Sequence, residues 1–308
     1  VTGGAGFLGS ALCARLVEAG HAVVCLDSLV TGRRDRIAPL LRAPNFRFVQ
    51  QDVRAPLPAD DYAEIWNLAC PASPVQYQLD PVGTLLTNVV GMDNVLALAA
   101  RCGARVLQAS TSEIYGDPDL HPQTEAYCGR VNPIGPRACY DEGKRAAEAL
   151  CFDYHRTRGV VIKVPRLFNT YGPGMDPDDG RVVSNFIVRA LGGLPLELNG
   201  GGRQTRSFCY RDDMLDGLML LMASDASITG PMNLGNPAEI TIAELAQLVL
   251  EITGARVAVT DTPRPADDPR QRRPDIGKAG ALLGWAPRVT LREGLTRTVE
   301  YFATRRLR

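Results

Sequence analysis

Only three lysines and three histidines occur among 308 residues, and each scarcity narrows the chemistry open to this chain. His21, His121 and His155 lie far apart and outside any triad context, so catalysis through a histidine base is not expected. The eight cysteines include no C-x-x-C pair and no histidine cluster accompanies them; neither a zinc site nor a disulfide framework is indicated, and reduced thiols in a cytoplasm fit best. Net charge is absent as well. The 34 Lys and Arg balance 34 Asp and Glu, which leaves no basic field to recruit nucleic acid or an anionic membrane. No apolar run reads as a membrane helix and no signal peptide is visible, so no membrane partner is expected. The acidic stretch Asp176-Pro177-Asp178-Asp179-Gly180 lacks the alternation and closing glutamate of a calcium loop, and no metal is expected.

What the chain does have begins at its first residues. Val1-Thr2-Gly3-Gly4-Ala5-Gly6-Phe7-Leu8-Gly9 spaces Gly3, Gly6 and Gly9 by three and leads into Ser10 to Gly20, a run of helical period with a glycine stop. Glycine allows a tight turn and close backbone approach to a pyrophosphate, and a helix N-terminus offers unpaired N–H groups. The apolar run after His21 ends in Asp27, about 20 residues after the glycines, where a carboxylate meets a ribose hydroxyl. Asp27 argues for NAD; Arg33 and Arg34 pull toward a 2′-phosphate, which the Asp27 carboxylate would repel. The strand expected before the glycines is reduced to Val1-Thr2, and the natural chain is expected to carry several more apolar residues upstream.

Strand-like runs at Ala22 to Leu26, Asn45 to Gln50, Glu64 to Leu68, Arg105 to Ala109 and Val160 to Pro165 alternate with helical stretches near Gly83 to Cys102 and Tyr140 to Arg158. That alternation predicts an α/β fold with a Rossmann-type doubly wound parallel sheet whose first strand is truncated. Residues 1–168 read as the dinucleotide-binding domain. From 169 to 308 the pattern loosens into a smaller substrate-binding region, partly interleaved with the first, with helices expected at Ile240 to Gly254 and Leu291 to Arg305. Tyr140 and Lys144 stand four apart on the second helical stretch, so the ammonium can lie beneath the phenol and favour its anion. Ser110-Thr111-Ser112-Glu113 places hydroxyls and a carboxylate at the C-terminal end of a strand, where ligands of open α/β sheets bind; backbone hydrogen bonding is the other use for Thr111 and Ser112 there.

The stretches Ala69-Cys70-Pro71-Ala72-Ser73-Pro74, Ser110 to Asp117, Asn132 to Arg145, Asp179 to Phe186 and Asp267 to Ile276 resemble the extended short-chain dehydrogenase/reductases, and among them the UDP-glucuronate decarboxylases, or UDP-xylose synthases. The likeness covers nearly the whole chain. It implies Tyr140 as catalytic base, Lys144 as its electrostatic partner, and Thr111 as the hydroxyl on the sugar's reacting oxygen. Ser112 and Glu113 fall where related enzymes keep further acid/base groups, and Arg272 belongs to the sugar's side of the site. For NAD the resemblance implies contacts from Gly3, Gly6, Phe7, Leu8, Gly9, Asp27, Ser28, Thr31, Gly32, Asp52, Val53, Leu68, Ala69, Ala72, Thr87 and Thr170, besides Tyr140 and Lys144. For the substrate it implies Tyr77, Asn169, Arg181, Val182, Gln204, Arg206 and Tyr210, besides Arg272.

The implied reaction is NAD-dependent decarboxylation of UDP-glucuronate to UDP-xylose through a 4-ketone, with NAD regenerated, in a homodimer joined by paired helices. A UDP-glucuronate 4-epimerase is one alternative. A nucleotide-sugar 4,6-dehydratase usually has Asp-Glu where Ser112-Glu113 stands, and a non-catalytic NAD sensor commonly loses the tyrosine or the lysine. Two departures, Trp66-Asn67 before Leu68-Ala69 and Cys128 at a position often aromatic, lie away from the implied chemistry.

Overall fold

Thr2 bridges two neighbours at once, Leu26 on one side and Asn67 on the other, so the short opening strand lies in the middle of a sheet. On one edge its N–H donates to Trp66 O at 3.0 Å and its carbonyl accepts from Leu68 N at 3.1 Å; on the other the flanking Gly3 N donates to Leu26 O and Leu26 N to Val1 O, each at 2.8 Å, as a central strand must pair on both edges. This is a computed structural model; residues 1–178, 180–263 and 271–306 are described. Asp179 and the Asp267 to Arg270 part of the C-terminal resemblance lie outside the described residues.

Outward from Thr2 the strands run parallel in the order Val23–Asp27 and Phe46–Gln50 on one side, and Glu64–Asn67, Arg105–Gln108 and Ile162–Lys163 on the other. Pro165–Leu167 then pairs in parallel with both Ser110–Thr111 and Met232–Leu234. The order reverses at Thr2, which makes the carboxyl end of that strand the topological switch point and the expected ligand crevice. The predicted strands are all present, shortened or shifted by one or two residues, and the run at Val160 to Pro165 is divided between two.

The helices start and stop for local reasons. Pro81–Cys102 begins with Pro at its first turn and the Asp80 carboxylate accepting from Gly83 N at 2.8 Å, and it ends at Gly103 with φ of 70°. Ala138–Arg158, the helix of Tyr140 and Lys144, ends at Gly159 in the same left-handed conformation. Ile242–Thr253 carries a capping box between Thr241 and Glu244, and Leu291–Arg306 is the C-terminal helix.

Each face of the sheet is covered. Leu12 and Leu16 of the Phe7–Glu18 helix pack with Met214, Leu218 and Leu221 of Arg211–Ala223 and with Trp285 on one face. Met92, Val95 and Leu96 pack with Ala147, Cys151 and Ile162 on the other. A third cluster, with Tyr171, Phe186, Leu245 and Leu295, belongs to the C-terminal region. The chain beyond 169 thus also returns to the first core, through Arg211–Ala223 and Met232–Leu234.

One reading of the sequence is corrected. The Pro81–Cys102 helix is long and apolar enough to cross a membrane by length and composition. Here its inner face, with Met92, Val95, Leu96 and Ala99, is buried against the sheet and the Ala138–Arg158 helix. The polar Thr84 and Asn88 break the apolar periodicity, which hides the helix's length from a search for uninterrupted runs.

Lys163, fully buried, holds the turn after Arg211–Ala223: its ammonium donates to Ser224 Oγ at 2.8 Å, Asp225 O at 2.6 Å and Ile228 O at 2.9 Å. Lys163→Met removes these donors and should cost about 1–3 kcal/mol. We expect a lower urea midpoint at unchanged slope; a midpoint equal to the parent's would mean that the turn is held by other contacts.

Candidate active site

A cleft of about 960 Å³ opens over the carboxyl ends of the parallel strands. Of the 29 residues expected to touch cofactor or substrate, all but Tyr77 and Tyr210 line it.

At one end lies the glycine turn. Gly3 takes φ of 67°, and a Cβ there would come within 2.7 Å of the Leu68 carbonyl. A Cβ on Gly9 would come within 2.1 Å of Gly3 O. The first turn of Phe7–Glu18 carries no side-chain cap, so its N–H groups face the cleft unspent. Asp27 is aimed by two backbone donors, Ala5 N at 2.9 Å and Leu29 N at 2.8 Å. Burial pushes its carboxyl up, opposed by those N–H groups and by Arg36. Arg33 is engaged by Asp35 at 3.2 Å and by Asp176 at 3.5 Å, and the Arg34 guanidinium lies 5.4 Å from the centre of the Phe48 ring. A turn that only glycine can form, a helix N-terminus without a side-chain cap, an oriented carboxylate and an Arg33 paired to acids fit a dinucleotide without a 2′-phosphate. NAD would be held there by these groups, together with Asp52, Val53, Ala69, Ala72 and Thr87, which line the same cleft.

At the other end the reacting groups converge. Lys144 is buried and donates from Nζ to Ala109 O at 2.8 Å, where the Arg105–Gln108 strand passes into Ser110–Thr111. Its ammonium lies 5.8 Å from the centre of the Tyr140 ring. The Tyr140 phenol hydrogen-bonds with Thr111. Sequence spacing suggested that Lys144 would bring Tyr140 near neutral pKa; in this chain burial dominates instead, aided by Cys70, and pushes Tyr140 well above its ordinary value, with the Thr111 hydrogen bond opposing. Burial also lowers Lys144, against Cys70, Cys151 and Glu148.

Glu113 is enclosed by cations. Arg272 grips it with two bonds, Nη1 to Oε1 at 2.6 Å and Nη2 to Oε2 at 2.8 Å, and Arg137 reaches Oε2 at 2.6 Å. Burial would raise this carboxyl, but Arg272 and Arg137 outweigh it and hold it down to about 2. Held so, Glu113 stands as the anionic charge partner of Arg272 and Arg137. Asp141, one residue after Tyr140, behaves oppositely: burial, aided by the Glu113 charge, pushes it up to about 7.

Two assignments are corrected. Tyr77 ends the short helix Pro74–Tyr77 and turns its ring inward, stacked on Tyr140 at 5.0 Å and 4°. At 1% exposure it backs the phenol rather than facing a ligand. Tyr210 packs edge-on against Tyr171 at 5.8 Å, with the Arg297 guanidinium 5.6 Å over its ring; its strand directs it into the C-terminal core. Of the remaining substrate candidates, Arg181 lies over the Phe7 ring at 5.5 Å beside Val182, Gln204 donates to Asn199 O at 3.1 Å, Arg206 is buried and adds its charge to Glu113's surroundings, and Asn169 lines the cleft. Arg137 is the functional residue that the sequence reading passed over, although it stands three residues before Tyr140 in a stretch quoted for the resemblance.

Comparison with known proteins agrees with this geometry. Residues 1–235 match the model of the NAD dependent epimerase/dehydratase family. UDP-glucuronic acid decarboxylase 6 of Arabidopsis thaliana is 53% identical over 306 residues, covering 99% of this chain and 88% of that one. Among solved structures, UDP-glucose 4-epimerase of Thermotoga maritima with UDP-glucose superposes with a TM-score of 0.90 at 29% identity, over 99% of this chain and 98% of the other. UDP-glucuronic acid 4-epimerase of Bacillus cereus, in complex with UDP-glucuronic acid and NAD, gives 0.88 at 26% identity, over 98% of each chain. With its glycine turn, its Tyr140 and Lys144 on one helix face and a family match across most of its length, the chain belongs to the NAD dependent epimerase/dehydratase family.

Proposed function

We propose that this enzyme decarboxylates UDP-glucuronate to UDP-xylose through a 4-keto intermediate, with NAD regenerated. The observation that carries the reading is the bidentate fork of Arg272 at the sugar end of the cleft, already holding a carboxylate, that of Glu113, next to Thr111 and Tyr140. A planar guanidinium matches a substrate carboxylate in the same way. The name of the Arabidopsis relative, UDP-glucuronic acid decarboxylase 6, supports the same substrate.

NAD, when bound, would supply the hydride acceptor and donor for C4 of the sugar; with C4 a ketone, the C5 carboxylate would belong to a β-keto acid that loses CO2 readily. Tyr140 receives the proton of the C4 hydroxyl, with Thr111 bonded at the same oxygen. Burial opposes the phenolate, and Lys144 is the cation that the chain itself provides in its favour. After CO2 departs, the electron pair delocalises onto the C4 oxygen, where the hydroxyls of Tyr140 and Thr111 donate to the enolate; a solvent proton then adds at C5, and reduction at C4 with return of the proton from Tyr140 to the C4 oxygen completes the xylose. Arg272, its fork occupied by Glu113, supplies positive charge beside the place the substrate carboxylate would take. Arg181 and Arg206 suit the diphosphate, and Gln204 and Asn169 the sugar and phosphate oxygens.

Incubation with UDP-glucuronate and catalytic NAD, read by mass spectrometry, tests the reading. A product lighter by one CO2 is expected. Unchanged mass with altered sugar stereochemistry would make the chain a 4-epimerase. Tyr140→Phe should retain NAD and lose at least about 10²-fold in turnover; turnover within a few-fold of the parent would remove Tyr140 from the chemistry.

We further propose a homodimer through the outer face of Pro81–Cys102. Val82, Leu86 and Val90 recur at helical spacing and are exposed, as is Leu79 just before the helix, at 77%. Light scattering should give a mass near twice 33.3 kDa, and Leu86→Glu should halve it. A monomeric parent protein would refute this arrangement.

A further inference from the structure

Behind the cleft lies a buried ion pair that the reaction does not touch. Arg166 binds Glu148 with Nε to Oε1 at 3.0 Å and Nη2 to Oε2 at 2.8 Å, and both residues are 8% exposed. Ser110 Oγ donates to the same carboxylate at 2.5 Å. The remaining amine of Arg166 donates to Tyr115 Oη at 2.9 Å and to Glu125 O at 3.1 Å, and the Tyr115 hydroxyl in turn donates to Asn233 Oδ1 at 2.8 Å. Neither Glu148 nor Arg166 lines the cleft, so neither meets a ligand.

Their placement nevertheless follows the reacting groups closely. Tyr140, Lys144 and Glu148 recur every four residues on one face of the Ala138–Arg158 helix. Arg166 stands opposite Ser110 in the parallel pairing that puts Leu167 opposite Thr111. One carboxylate therefore joins the helix of the base and its cation to the two strands that end at the cleft, one turn beyond Lys144. A buried charge is tolerated where its partner and hydrogen bonds are complete, and removing one partner leaves the other uncompensated in low dielectric.

We propose that the Glu148–Arg166 pair is a positioning device for Tyr140 and Lys144, fixing their helix against the Ser110–Thr111 strand while keeping the charge behind them balanced. The proposal rests on the assignment of Tyr140 and Lys144 as the reacting base and its cation. The other groups around them are Cys70 and Cys151 near Lys144, and Cys70, Thr111, Glu113 and Asp141 near Tyr140; all stay in place in the variants below. Glu148→Gln leaves the Arg166 cation unpaired and should ease ionisation of Tyr140. Arg166→Met leaves the Glu148 anion unpaired and should oppose it.

The test compares parent, Glu148→Gln, Arg166→Met and the double variant. Each single variant should lose about tenfold or more in kcat, with KM and NAD affinity within about threefold, because helix and strand no longer hold their register. The rising limb of kcat against pH should move down in Glu148→Gln and up in Arg166→Met, each by about half to one unit for a charge some 12 Å along the helix, and return in the double variant. Should Arg166→Met fail to fold, Arg166→Lys replaces it: with the charge kept and the fork lost, kcat should fall while the limb stays. The same displacements should appear in tyrosinate absorbance titrations, each read as a difference from its Tyr140→Phe counterpart, so the inference is tested even if UDP-glucuronate is not converted. Limbs that coincide in all the proteins, with only melting temperatures lowered, would reduce the pair to packing and overturn the proposal.

Discussion

Everything at the cleft depends on where Thr2 pairs. Its backbone must satisfy Trp66 and Leu68 on one edge while it bridges Leu26 on the other, so the strand order has to reverse at this residue. The chain turns immediately through Gly3 into the Phe7–Glu18 helix, and the opening created by the reversal lies over that helix's uncapped N-terminus. Parallel pairing then brings Asp27, Leu68 and Ala109 to the same side of the sheet, because parallel strands all end in one direction. The dinucleotide end of the site is a consequence of backbone hydrogen bonding before any side chain acts.

The sugar end is governed instead by charge in a dry place. Two guanidiniums hold Glu113, one lysine sits against a main-chain carbonyl, and a second ion pair lies behind both. Burial raises Tyr140 and Asp141 and lowers Lys144, whereas the paired arginines overcome burial at Glu113. Neighbouring carboxyls are thus pushed in opposite directions according to whether a guanidinium bonds them directly, as at Glu113, or acts only from a distance, as at Asp141. The stacking of Tyr77 on Tyr140 belongs to the same economy of space: a ring behind the phenol excludes water without offering it a competing hydrogen bond.

The glycine spacing, the acid at residue 27, the alternation of strands with helices and the four-residue step from Tyr140 to Lys144 were legible in the sequence because each is a local pattern with a local cause. Resemblance extended this to Thr111, Glu113 and Arg272. The tyrosines show where such reading stops. Tyr77 and Tyr210 stand in stretches with the expected composition, yet one is turned inward by a four-residue helix and the other by the strand that leads into Arg211–Ala223. The Pro81–Cys102 helix was legible as a helix but not as an apolar span, since Thr84 and Asn88 interrupt its apolar run although both are buried.

By itself the sequence determined the doubly wound sheet, the cofactor turn and the placing of Tyr140 and Lys144 on one helix face, since these follow from residue type and spacing within one segment. Only the tertiary structure decided the electrostatic state of the site. Glu113 meets Arg272 across 159 positions of chain, and Ser110 reaches Glu148 across 38. Whether a carboxylate is paired, and whether a phenol is dry, depends on neighbours that no local pattern specifies, because Coulomb energies and desolvation are set by distance and burial in space.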